Sequence, residues 1–180
     1  MRCRFRAAVT LLLLCVTLSG CANGGKRSDM NMQEAADRAD GILDAVLKEI
    51  EPEVQWAHGP TTTGTCDVTR RRAVMTVVSA ERRGSFLGVV DRFWRQSGYR
   101  IKAVNKDADL PAIFAQTKDG FGVTLIIGGE GQAFFEVDTP CVEKSEVAES
   151  TTQPNGPSYV GVETLPRPNV HSDFWSAEAV

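Results

Sequence analysis

Histidine is scarce in this chain, with two residues in 180, and tyrosine is equally rare. A Ser-His-Asp hydrolase or a histidine-ligated metal centre therefore has little to draw on, because His171 lies close to the C-terminus and leaves His58 alone. No Lys-Ser/Thr pair follows Gly128-Gly129-Glu130-Gly131, so that run reads as a tight turn and not as a phosphate loop. Asn105, Asp107 and Asp109 repeat the first oxygen positions of a calcium loop, but Leu110 stands where the loop needs glycine and Pro111 follows. A solvated loop is the reading there. Positive charge is also in deficit: 20 Lys and Arg stand against 23 Asp and Glu. With no zinc-finger spacing, recognition helix or aromatic RNA-binding motif to offset that balance, nucleic acid is not an expected partner. A single long apolar run excludes a multi-span membrane protein, and five cysteines are too few for a disulfide-dense miniprotein.

What is present divides the chain into segments. Residues 7–18, AAVTLLLLCVTL, follow Arg2, Arg4 and Arg6. A cationic start and about twelve apolar residues make a secretory signal peptide, too short for a bilayer span of about 20 residues. It ends in Leu18-Ser19-Gly20-Cys21, and here the chain resembles the bacterial lipoproteins. The resemblance covers only residues 1–21. It implies that the Cys21 thiol receives a diacylglyceryl group and becomes the new N-terminus, while small Ser19 and Gly20 admit the peptidase. Each buried CH₂ contributes about 0.8 kcal/mol, so two acyl chains hold where one is marginal. Residues 21–30 are then the lipidated cysteine and its tether, of which Ala22–Ser28 reaches roughly 15 Å as a Gly-rich coil. The expected location is the extracytoplasmic face of the cell membrane.

Removing the signal takes Lys+Arg from 20 to 17 against the same 23 acids, so the mature chain carries −6 where the full chain carries −3. Cys3 and Cys15 leave with the signal and Cys21 is committed to lipid. Cys66 and Cys141 remain, and in an oxidising envelope compartment two remaining thiols form a disulfide.

Residues 31–142 read as one α+β domain. Asn31 with Glu34 approximates a capping box, and Ile42, Leu43, Val46, Leu47 and Ile50 recur at helical spacing up to Pro52, with Asp37, Asp40, Asp44 and Lys48 on the wet side. A short strand is expected over 53–58 and a longer one over 66–79. In the latter, the apolar parity changes between Val68 and Ala73, which predicts a bulge near Arg70-Arg71-Arg72. Phe86, Leu87, Val90, Phe93 and Trp94 form a second helix, opened by Ser85 and ended by Gly98. Four more strands follow from Tyr99 to Val137, with Asp119-Gly120 as a hairpin turn. The expected architecture is two helices packed on one face of a curled, mainly antiparallel sheet of four to five strands. Residues 143–180 are rich in turn formers and are expected to be a mostly disordered tail, with Tyr159–Val162 docking transiently.

The only concentrated positive charge in the mature chain is Arg70, Arg71, Arg72, Arg82 and Arg83. These are candidate contacts to a partner or an anionic surface, set against the plainer reading of a charge-guarded sheet edge. Trp56, Trp94 and Tyr99 are candidates for lining an apolar pocket between helices and sheet. No catalytic motif, cofactor site or metal site is expected. The sequence points to a membrane-anchored module that binds an envelope protein or wall component. The alternative is a carrier or sensor for a lipid or small molecule, and an enzyme built on carboxylates such as Asp91 and Glu136 is the third choice.

Overall fold

A computed structural model describes residues 29–157, 159 and 164–178. The expected signal peptide, Cys21, the expected tether as far as Ser28 and Val160–Val162 lie outside the described residues. Helix α1 spans Met32–Lys48 and opens on a complete capping box: Glu34 N–H donates to Asn31 Oδ1, and Asn31 N–H donates to Glu34 Oε2. Strands β1 (Trp56–His58), β2 (Thr62–Thr63) and β3 (Val68–Val74) follow, then helix α2 (Ala80–Gln96). Strands β4 (Arg100–Asn105), β5 (Ala112–Gln116), β6 (Gly122–Ile127) and β7 (Ala133–Asp138) complete the fold. The α+β class holds, but the sheet has seven strands and not four or five. Its order is β1-β3-β7-β6-β5-β4, with β2 paired to β3, every ladder antiparallel and the sheet open.

Two boundaries differ from expectation. Helix α2 begins at Ala80 after Ser79, not at Ser85; its first turn, Ala-Glu-Arg-Arg-Gly, lacks the apolar spacing that marks the rest. Strand β3 runs through the three arginines without a register shift. The shift instead falls in edge strand β4, between Ile101 and Ala103. The parity change in β3 has another cause, which is that both faces of the sheet are covered there. Val68, Arg70, Arg72 and Val74 point to the helices, in register with Val137 and Phe135 of β7. Ala73 points the other way, beside Phe134, and forms with Met75 and Ala57 a second buried cluster.

That second cluster is completed by the C-terminal segment. Tyr159, Leu165 and Val170 pack on it, and Val170 bridges to Thr76. Trp175 is buried in the main core, its ring 5.1 Å from Phe86 and its Nε1–H donating to Pro52 O at 2.6 Å. Over its described residues, then, the segment expected to be a mostly disordered tail has no helix or long strand but is docked on the domain. Its few apolar residues are spent one by one on gaps in a sheet built by the rest of the chain, so no local periodicity announces them. Cys66 and Cys141 form the expected disulfide, at the root of this segment.

Candidate functional site

The densest polar constellation lies where α1, β1, β3 and the C-terminal segment meet. Asp40 and Asp44 are one helical turn apart and so share a face of α1. Arg70 and Arg72 alternate on β3 and so share a face of the sheet. Because α1 lies on that face, the two guanidiniums are driven under the helix against the carboxylates. Arg70 and Arg72 are each 1% exposed and Asp40 6%.

Buried charge persists only when paired and hydrogen-bonded. Arg72 Nη2 donates to Asp40 Oδ1 at 2.8 Å and lies 3.4 Å from Asp44 Oδ1, and its guanidinium sits 4.7 Å from the Trp56 ring centroid. Arg70 Nε faces Asp40 Oδ2 at 3.2 Å as an ion pair, without hydrogen-bond alignment. Its Nη1 donates to Thr61 Oγ1 and its Nη2 to Ala148 O, both at 2.7 Å. The C-terminal segment thus supplies acceptors that β3 needs. Thr152 Oγ1 returns a bond to Asp44 Oδ2 at 2.8 Å.

His58 completes the group. Arg72 Nη1 lies 2.9 Å from its Nδ1, and its Nε2 lies 2.8 Å from Thr152 O. Guanidinium can only donate and a carbonyl can only accept, so the imidazole is neutral with its proton on Nε2. Burial lowers the His58 pKa below 6.5; the Thr152 carbonyl raises it, and Arg72 lowers it. With both nitrogens engaged, the ring has no free lone pair for general-base work, and the cluster acts as a fastening.

The residues singled out in the sequence are dispersed. Arg70 and Arg72 are buried, which removes them from any surface patch. Arg71 faces the opposite side of the sheet and pairs with Glu136 at 3.1 Å. Arg82 stacks over Phe174 at 4.3 Å, and Arg83 donates to Ala108 O at 2.8 Å. Trp94 is core, Trp56 packs beneath Arg72, and Tyr99 is half-buried with its pKa raised by that burial and by Asp119. None of these three aromatics lines the surface depressions at Arg92 and Phe93, at Arg100 and Lys118, or at Ser79 and Glu130, the last of which Arg83 borders. Asp91 pairs with Arg95, away from Glu136. Asp107 accepts backbone N–H bonds from Leu110 and Asp109, which lower its pKa and fold the 105–110 loop on itself. Among the described residues no three His, Cys, Asp or Glu group as a metal site, and no helix is long and apolar enough to cross a membrane.

Asp40, assigned to the wet side of α1 on sequence, is the residue most clearly misplaced. A signal existed: Asp40 lies four residues after Ala36 and three before Leu43, inside the apolar stripe. No protein-family model, curated protein or solved structure matches the chain.

Proposed function

We propose that the protein is an envelope lipoprotein, held by a diacylglyceryl group on Cys21 at the extracytoplasmic face of the membrane, whose domain binds a partner protein. The anchor rests on the lipobox and its preceding signal. The observation that supports binding is the second face of the sheet. The C-terminal segment covers it over β1, β3 and Phe134 of β7. Over β4, β5 and β6, the in-register row Ala103, Phe114 and Thr124, with Ile126 beside it, belongs to neither buried cluster and stays partly exposed. A charge-free, largely apolar centre carrying an aromatic, rimmed by Arg100, Arg71 and Glu136, has the composition of an interface core and rim.

A carrier needs space between helices and sheet, and there Phe86, Trp94, Phe121, Leu125 and Phe135 are closely packed. The reading is tested in cells with a photocrosslinking residue at Thr124 and, as control, at Arg92 on the helical side. A discrete protein adduct from position 124 alone is expected. Equal labelling from both positions, or none from 124, would refute this face as the binding surface. Cys21→Ser should separately abolish lipid labelling and membrane retention.

A further inference from the structure

Residues 145–157 cross the α1–β3–β1 junction as a strap with no helix or strand of its own. Both of its flanks are fastened independently. Upstream, Cys141 is in the disulfide and Glu143 O accepts from Met32 N–H. Downstream, Val170 and Trp175 are docked through backbone bonds to Val77 and Ser79. Ala148 is held by Arg70 and Gln33; beyond it, the middle is held by Ser150 on Arg72, by Thr152 on His58 and Asp44, and by Asn155 and Gly156 on the backbone of Trp56. The strap backbone approaches so closely that a Cβ on Gly156 would stand 2.6 Å from Trp56 O.

The groups facing His58 come from every element around it. Strand β3 brings Arg72 and Arg70, helix α1 brings Asp40 and Asp44, and β1 brings Trp56, 5.3 Å away edge-on. The strap brings the Thr152 carbonyl and the Ser150 hydroxyl, while its Glu149 is exposed. Of these side chains, imidazole alone ordinarily titrates near neutrality. A proton arriving on Nδ1 removes the acceptor for Arg72 and sets an N–H against a guanidinium N–H. The ring must turn away, and turning breaks its bond to Thr152 O.

We propose that His58 is a proton-operated latch: neutral imidazole holds residues 150–156 on β1, and protonation frees them, uncovering the Trp56 edge while the sheet and the Trp175 anchor stay in place. The direction follows from linkage. In the closed state burial lowers the His58 pKa, against the Thr152 carbonyl, which raises it, and Arg72 adds to the lowering; a ring turned out to water loses all three, so closure is favoured in full above 6.5 and is lost as pH falls through the lower closed-state value, at up to about tenfold per pH unit for one proton. The latch does not depend on the anchor at Cys21 or on the sheet face.

Hydrogen exchange on the full chain in detergent, corrected for intrinsic rates between pH 8 and 5, tests it. Protection over 150–156 and at Trp56 should fall with acid in the wild type, while β5, β6 and residues 170–176 keep theirs. His171→Gln should behave as wild type. His58→Gln, whose amide keeps a donor and an acceptor but does not titrate, should hold the strap across the range. Unchanged strap protection in the wild type, equal loss in His58→Gln, or loss spread evenly to β5 and β6 would each overturn the latch. Should His58→Gln fail to fold, ¹⁵N spectra of wild-type His58 decide. An Nε2–H tautomer titrating below 6.5 supports the latch, and an Nδ1–H tautomer or an ordinary pKa refutes it.

Discussion

Asp40→Asn is the sharpest perturbation of the buried cluster. The replacement keeps the volume and an acceptor oxygen, and removes one negative charge from between two guanidiniums that are each 1% exposed. Arg72 retains Asp44 at 3.4 Å, but Arg70 is left with neutral partners only, Thr61 and Ala148 O. Breaking a buried pair by removing one partner costs about 3–5 kcal/mol, since the surviving charge stays desolvated. For a domain of this size that corresponds to a fall in Tm of about 10 °C. Urea unfolding followed by tryptophan fluorescence, with the disulfide intact, measures it. Asp44→Asn is the control: its side chain is 37% exposed, so screening by water should hold its cost to about 1 kcal/mol or less. Arg70→Met placed on Asp40→Asn should recover part of the loss, because it removes the stranded charge. A cost below about 1 kcal/mol for Asp40→Asn, or equal costs for the two aspartates, would show that water reaches the arginines and would refute their burial beneath α1.

Two further perturbations probe the C-terminal segment. Trp175→Ala removes a ring 1% exposed to solvent, and should cost about 3–5 kcal/mol or, if the segment detaches first, open residues 164–178 to protease at unchanged core stability; resistance and full stability together would refute its docking. Replacing Cys66 and Cys141 together by serine releases a loop of sequence separation 75 and should lower stability by roughly 4 kcal/mol on the chain-entropy model, read by the same urea titration; mass mapping that finds two free thiols in the wild type would remove the basis of that expectation.

The parts of the fold legible in the sequence are those whose stabilisation is local. The Asn31–Glu34 box announces α1, and alternation through Phe121, Val123, Leu125 and Ile127 announces β6, because one face of that strand is buried and the other is not. Asp119-Gly120 marks its turn, with Gly120 at φ +97. Strand β3 is covered on both faces for part of its length, so its apolar residues change parity without any break in the ladder. Alternation reports which face is buried only while a single face is buried. The first turn of α2 is silent for a different reason. Ser79 makes no side-chain cap bond, and its hydroxyl donates to Ala177 O in the C-terminal segment. The signal that would have placed the helix start was diverted to a residue 98 positions away.

The same long-range character hides the polar cluster. Three consecutive arginines suggest solvent, since arginine is rarely buried unless paired. Pairing here needs Asp40, 30 residues upstream, and a carbonyl acceptor at Ala148, 78 residues downstream, neither of which a local window contains. Beside the place of Asp40 in the apolar stripe of α1, net balance offers a hint. Asp40 and Asp44 carry two charges, Arg70 and Arg72 carry two, and a neutral His58 leaves the sum at zero. A third cation in this group, a protonated His58, would break that balance with no carboxylate left to receive it. The arrangement that buries the arginines therefore also keeps His58 neutral, and through the proposed latch it ties the placement of residues 150–156 to the pH around the domain.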